Sequence, residues 1–191
     1  MTSSAGLAPV LWIAVALFSP ACLAHGAHVH GVANVELVRE RDSVQIQLTA
    51  DGEGIVGFER APRDAAEQAK VDAARSRLRQ GPALFALPAA AGCRQVSSVA
   101  EVPHAGAAEA AGESDDRDHH HDDAKADGHA DWKVSYVFRC VRGAAVDGVD
   151  LAGLFGAFPD ITRAELQWIT DDAQSGAELA PGRSRTALVV Q

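Results

Sequence analysis

The chain of 191 residues has the length of a single domain, and its 47% of hydrophobic residues are enough for a packed core with few aromatics. The formal net charge of −9 argues against nucleic acid as a partner and against adsorption on anionic lipid. This charge is uneven, because nine acidic and only two basic residues fall between His104 and Asp131. The acidity therefore belongs to one segment and not to the whole domain.

Residues 1–24, MTSSAGLAPVLWIAVALFSPACLA, are typical of a secretory signal peptide. The apolar run from Leu7 to Phe18 has twelve residues, whereas a membrane-spanning helix needs about 20. Cys22 and Ala24 are the small residues before a cleavage point that leaves His25 as the first mature residue. No Lys or Arg precedes the run, and an anchored or buried N-terminal helix is the alternative. We expect export, with no membrane insertion after cleavage.

Export leaves two cysteines, Cys93 and Cys140, in an oxidising compartment. A disulfide between them would close a loop of about 48 residues, which contributes on the order of 4 kcal/mol in the chain-entropy model. The alternative is a pair of buried thiols. The sequence favours the disulfide, which would enclose the acidic segment.

Apolar periodicity predicts the first elements of the domain. The stretch VANVELVRERDSVQIQLTA alternates as in a β-hairpin whose turn lies between Arg39 and Asp42. The Gly-rich DGEGIVGFERAP follows as a structured connection. A helix is predicted over 62–80, with Pro62 in its first turn and Val71, Ala74 and Leu78 on its buried stripe. A strand is expected from Cys93 to Val102.

The segment 104–131 has no hydrophobic side chain larger than Ala, so it is predicted to be a disordered His/Asp-rich insertion. WKVSYVFRCV then predicts a strand, LAGLFGAFPD a short helix, and RAELQWIT and RTALVVQ two more strands with DDAQSG as the turn between them. The expected fold is a single α+β domain over 25–191, with an antiparallel sheet packed by one long and one short helix.

The eight histidines all lie outside the predicted packed elements, which makes a buried structural role improbable for any of them. Three belong to HGAHVHG at the mature N-terminus: His25, His28 and His30. In an extended backbone His28 and His30 point to the same side, and His25 adds an imidazole and a free amine. Imidazole nitrogen suits Zn²⁺, Cu²⁺ and Ni²⁺, so this motif is a candidate metal site.

The other five histidines, His104, His119, His120, His121 and His129, lie in the acidic insertion, four of them within DHHHDDAKADGH. Neighbouring rings cannot easily share one ion, but a flexible segment could combine one or two of them with carboxylates. Such sites are weak and exchangeable, because the loop must be ordered on binding. A plain solvated linker is the alternative.

Enzymatic functions have little support in the sequence. GEGIVG departs from the dinucleotide-binding fingerprint, HExxH is absent, and no cysteine is free once the disulfide forms. The Ser and Asp pairs lack a partner base from the folded core. The chain is therefore predicted to be a non-enzymatic metal-binding protein.

Several ordered segments, HGAHVHGVANVELV, IVGFERAP, LFALPAAAGC, YVFRC and LFGAFPDI, together resemble the ZrgA-like proteins over roughly His25 to Val190. The resemblance implies a periplasmic protein that binds Zn²⁺, with a variable His-rich loop, and works beside a membrane zinc importer. His28 and His30 carry over from the family pattern. Where relatives usually have a histidine after GFE, this chain has Arg60, which supplies no ligand. Glu59 could contribute an oxygen, although a structural turn is the simpler interpretation.

The leading hypothesis is capture or buffering of Zn²⁺ for uptake, with an ordered N-terminal site and weaker sites in the insertion. Sequestration of Cu²⁺ or Ni²⁺ for metal tolerance is the first alternative, since an amine beside imidazoles suits Cu²⁺. An interaction module that docks through its acidic loop is the second.

Overall fold

A computed structural model describes residues 30–101 and 131–188. The described residues form eight strands and four α-helices, of which one helix exceeds six residues. The strands are β1 (Val32–Glu40), β2 (Ser43–Ala50), β3 (Arg94–Glu101), β4 (Trp132–Arg139), β5 (Gly148–Asp150), β6 (Arg163–Ile169), β7 (Gln174–Leu179) and β8 (Arg185–Ala187). The helices are α1 (Gly52–Val56), α2 (Ala65–Leu78), α3 (Gly81–Leu84) and α4 (Ala152–Ala157).

Six strands form one sheet in the order β3-β4-β2-β1-β6-β7, and β5 pairs with β8 in a small second sheet. The α+β class is confirmed, but the expectation of a purely antiparallel sheet is wrong, because β1 and β6 are parallel. More than a hundred residues separate these two strands, so the chain can return to the same end of the sheet before β6 begins. The alternation of apolar residues within a strand does not reveal whether the strand pairs parallel or antiparallel with its neighbour.

The β1–β2 hairpin is confirmed, with Arg39 opposite Val44 and Glu40 opposite Ser43. Its two-residue turn places Arg41 at a φ of 52°, in the left-handed region. Alternate side chains of β1, β2, β4 and β6 enter one core together with residues of the helices. The alternating apolar residues of the hairpin are buried except for Val32, which is half-buried; the buried ones are Val35, Leu37, Val44, Ile46 and Leu48.

The long helix α2 packs on this sheet through Val71, Ala74 and Leu78, as its stripe predicted. It begins later than Pro62, because Asp64 caps it by accepting a hydrogen bond from the Glu67 N–H at 2.8 Å. The buried Tyr136 hydroxyl of β4 donates to the Leu78 carbonyl at 2.5 Å and thereby ties the end of the helix to the sheet.

The C-terminal third differs most from the sequence prediction. The segment expected as turn material contains the start of β7, an edge strand that pairs with β6. Its sequence, QSGAEL, has little apolar alternation, so only its place beside β6 identifies it as a strand. Within the described residues, which end at 188, RTALVVQ contributes the three-residue β8, and the Gly-rich connection contains the extra helix α1.

The disulfide between Cys93 and Cys140 is confirmed and joins the start of β3 to the residue after β4. Next to it, the Gln95 amide donates to the Arg79 carbonyl and accepts from the Gly81 N–H, which fixes the α2–α3 corner. Within residues 30–101 and 131–188, no helix is both long and apolar enough to cross a membrane.

Candidate metal centre

His30 lies at the end of the large sheet where β1 begins, beside three carboxylates. Its Nδ1 atom is 3.1 Å from Glu53 Oε2, 3.5 Å from Glu59 Oε1 and 3.7 Å from Asp51 Oδ2. One ligand atom each from His30, Asp51 and Glu59 can be chosen so that all three lie within 4.8 Å of one another. Side chains from two segments, the residue before β1 and the short stretch 51–59, therefore converge on one point.

Asp51 is the most deeply placed member of this group, with a side chain only 5% exposed. It directly follows β2 and caps α1, since its Oδ1 accepts a hydrogen bond from the Gly54 N–H at 2.6 Å. Its other oxygen, Oδ2, is buried and has no hydrogen-bond partner among the described residues. A buried carboxylate oxygen without a partner is costly, and a bound cation would compensate it.

The glycines of DGEGIVGFE bring Glu59 back over Asp51. Gly57 ends α1 with a φ of 85° and donates its N–H to the Glu53 carbonyl, which reverses the chain. At Gly52 a Cβ atom would lie 2.5 Å from the Phe58 carbonyl oxygen, so only glycine allows the returning chain to approach so closely. This short segment therefore supplies Asp51, Glu53 and Glu59 as one preformed unit.

The backbone beside His30 is also held in place. The Gly31 carbonyl accepts hydrogen bonds from the backbone N–H groups of Thr162 and Arg163, at 2.9 and 3.2 Å. The parallel pairing of β1 with β6 thus fixes where the histidine leaves the sheet. The ring itself is accessible, with its side chain 55% exposed.

The donor set consists of one imidazole nitrogen and carboxylate oxygens, which suits Zn²⁺ and other divalent cations. Because His30 and Glu53 are both more than half exposed, the centre is open on one side. Catalytic and exchangeable zinc sites keep such an open position, whereas structural sites are closed by four protein ligands. The geometry therefore fits reversible binding.

Arg60 follows Glu59, and its guanidinium pairs with Glu67 of α2. Its guanidinium donates to both Glu67 oxygens at 2.6 and 2.7 Å and lies 5.0 Å from the Phe58 ring centroid. This bidentate pair, together with the N–H of Arg63, lowers the pKa of Glu67 to about 2. Arg60 thus anchors the segment behind the site to the start of α2.

Among the sequence-predicted ligands, His30 lies within the described residues and beside the acidic group. The remaining predicted ligands lie outside those residues: His25, His28, His104, His119, His120, His121 and His129. Sequence reasoning did not select Asp51 or Glu53, and it treated Glu59 as part of a turn. The available signal was an Asp before a Gly-rich helix start, with a second acidic residue after a Gly that ends the helix.

The same end of the sheet carries both ends of the His-rich insertion. At the C-terminal end of the insertion, Trp132 follows Asp131 and pairs with Ala50. Ala50 directly precedes Asp51 of the candidate centre. On the next strand Glu101 pairs with Lys133, and the chain leaves the sheet there. The fold thus attaches the insertion beside the candidate metal centre.

Fold and site together define an α+β protein with a disulfide and a candidate divalent-cation centre at one end of its sheet. The chain belongs to the family described as ZrgA family zinc uptake protein, whose family model matches residues 27–188. A search of curated proteins found no match. The family description names zinc uptake and no catalysed reaction, which implies a transport accessory role with metal ions as partners. The disulfide also suggests an oxidising location outside the cytoplasm.

Proposed function

We propose that this protein captures and buffers Zn²⁺ in the periplasm and passes it toward a membrane importer. The observation that carries the proposal is the buried Asp51 Oδ2 atom, which has no hydrogen-bond partner in the described residues and faces His30. In this scheme His30, Asp51 and Glu59 hold the ion, and Glu53 closes or opens the exposed side. Family membership supports zinc as the cargo.

The N-terminal histidines would complete the centre. His28 precedes His30 by two residues, a distance of at most about 7 Å along an extended chain, so its ring has the reach to bind the same ion. His25 would add a further nitrogen if export leaves it at the mature N-terminus. With a second imidazole the site would hold zinc more tightly than carboxylates alone could.

The insertion would act as a weaker reservoir. Its histidines, together with eight acidic residues between Glu109 and Asp127, would concentrate zinc near the sheet end from which the insertion leaves. Ions held there exchange quickly, because each site requires ordering of the chain. Zinc released from the insertion would then have only a short distance to travel to the preformed centre.

The test is calorimetric titration of zinc, with a competing chelator, into the mature chain and three variants: His30→Ala, Asp51→Asn and a deletion of 104–129. We expect the first two variants to lose the tightest site and the deletion to remove only weak sites. Asp72→Asn, which changes an exposed carboxylate on α2, is the matched control and should bind as the unmodified chain does.

Three outcomes would contradict the proposal. If His30→Ala and Asp51→Asn leave the tightest site intact, zinc binds elsewhere. If Cu²⁺ or Ni²⁺ binds and zinc does not in the presence of the chelator, sequestration for tolerance replaces zinc capture. If no metal binds and charge reversal in the insertion abolishes association with a partner, the chain is a docking module.

A further inference from the structure

The six-stranded sheet has two faces that differ in what covers them. The inner side chains pack with the helices, as shown by the edge-to-face contact between Phe85 and Tyr136, whose ring centroids are 5.4 Å apart. The outer side chains are covered by no described element. Val38, Val99 and Ile169 on this face are 38%, 58% and 51% exposed. Val38 and Ile169 are register partners and form one exposed apolar pair, whereas Val99 lies apart on β3.

The outer face has one partly apolar row. In strand order from β4 to β6, register partners place Val137, Gln45, Val38 and Ile169 side by side, and Ser97 and Gln174 continue the row on β3 and β7. A groove of about 660 Å³ lies over β1, β6 and β7, lined in part by Val38 and Ile169. Charged residues occupy the rows toward the two ends of the strands. An apolar centre with a polar rim is the usual composition of a protein–protein interface.

Charge on the outer face is divided between its halves. The β3–β4 half carries Arg94, Lys133, Arg139 and one acidic residue, Glu101; the β1–β6–β7 half carries Glu36, Glu40, Glu165, Glu178 and one basic residue, Arg163. Arg94 and Arg139 are exposed register partners, and neither forms an ion pair with a described residue. Like charges directly opposite each other destabilise a sheet, so an acidic surface placed over them would stabilise it.

We propose that this outer face is the interface of a twofold-symmetric homodimer. A twofold axis parallel to the strands, between β1 and β2, lays the basic half of one protomer over the acidic half of its partner. It brings Lys133 near Glu165 of the partner subunit and stacks the two rows that contain Val38 and Ile169. The same register lays Glu101 near Glu178 of the partner subunit, a like-charge pair that lowers the affinity. One surface thus complements itself, as an isologous interface requires.

The area of the face suits a dimer of modest affinity. Six strands about 4.8 Å apart, with outward positions about 7 Å apart along each strand, offer roughly 600–700 Å² per protomer. Two such faces bury about 1,200–1,400 Å², at the lower end of specific interfaces. With charges at its rim, the dimer weakens as salt screens them.

Sedimentation velocity on the mature chain, from about 1 to several hundred micromolar, tests this proposal at low and high salt. We expect a concentration-dependent monomer–dimer equilibrium that shifts toward monomer at high salt. Lys133→Glu and Glu165→Lys should each weaken association about tenfold or more. The double charge swap should restore it, because each pair across the interface again joins opposite charges. Lys70→Glu, an exposed reversal on α2, is the control and should associate normally.

A chain that stays monomeric at every concentration would overturn the proposal. So would a dimer that none of the reversals weakens, because its interface would then lie elsewhere. Circular dichroism and the unfolding midpoint of each variant show that a loss of association is not a loss of folding. The metal centre plays no part in this surface, so the two proposals stand or fall separately.

Discussion

The large sheet buries different polar groups toward its two ends. Between the middle of the sheet and the disulfide end, Tyr136 donates to Leu78 and Gln95 bridges Arg79 and Gly81, although the Nε atom of Arg39 there is buried without a hydrogen-bond partner among the described residues. At the metal end Asp51 Oδ2 is buried without a hydrogen-bond partner in the described chain. The hydrogen bonds of Tyr136 and Gln95 stabilise the fold, whereas the unpartnered Asp51 oxygen costs stability. A carboxylate oxygen beside an imidazole is suited to a divalent cation, which a guanidinium nitrogen is not.

Removal of the disulfide is expected to have the largest effect on stability. Changing Cys93 and Cys140 to Ala should lower the free energy of unfolding by about 4 kcal/mol, because the bond constrains a long loop in the unfolded chain. Urea unfolding of both proteins measures the effect. Zinc affinity of the folded variant should be unchanged, since the bond lies at the opposite end of the sheet. A variant that unfolds at the same urea concentration would show that packing alone holds this end.

Two substitutions of Asp51 separate its role as the cap of α1 from its proposed role as a metal ligand. Asp51→Ala removes the α1 cap and should cost about 1 kcal/mol, whereas Asp51→Asn keeps an oxygen that accepts the Gly54 N–H and should be nearly neutral. Both should weaken zinc binding at least tenfold, since a loss of this size already follows from altering groups that only orient ligands. Chemical unfolding and chelator competition measure the two effects. If Asp51→Asn binds zinc normally, Oδ2 is not a ligand.

The smallest expected effect concerns the ion pair of Arg60 with Glu67, which lies behind the site. The folded-state pKa of Glu67 is lowered to about 2 by hydrogen bonds from Arg60 and from the Arg63 N–H. Because this pKa lies below its ordinary value of 4.5, the stabilisation is present above about pH 4.5 and is lost as the pH falls toward 2. Glu67→Gln should therefore be less stable than the unmodified chain at pH 7, with the difference shrinking in acid. A difference that does not change with pH would assign the effect to packing.

Sequence patterns were informative where structure is local, and the cysteine count was informative for one long-range link. The hairpin follows from period-two alternation, α2 from its stripe of Val71, Ala74 and Leu78, and the disulfide from the pairing of the two cysteines left after export. Strand β7 was missed because its residues have weak strand propensity and gain their pairing from β6. The parallel β1–β6 pair was missed because it joins segments far apart in the chain.

The candidate metal centre was likewise predictable from the sequence only in part. By itself the sequence determined that imidazoles gather at the N-terminus and in an acidic segment, since composition and spacing are read directly from the residues. Only the tertiary structure decided that His30 meets Asp51, Glu53 and Glu59. That meeting depends on a left-handed glycine, a close backbone approach at Gly52 and the return of β6 beside β1. None of these has a periodic signature, because each arises from the packing of separate segments.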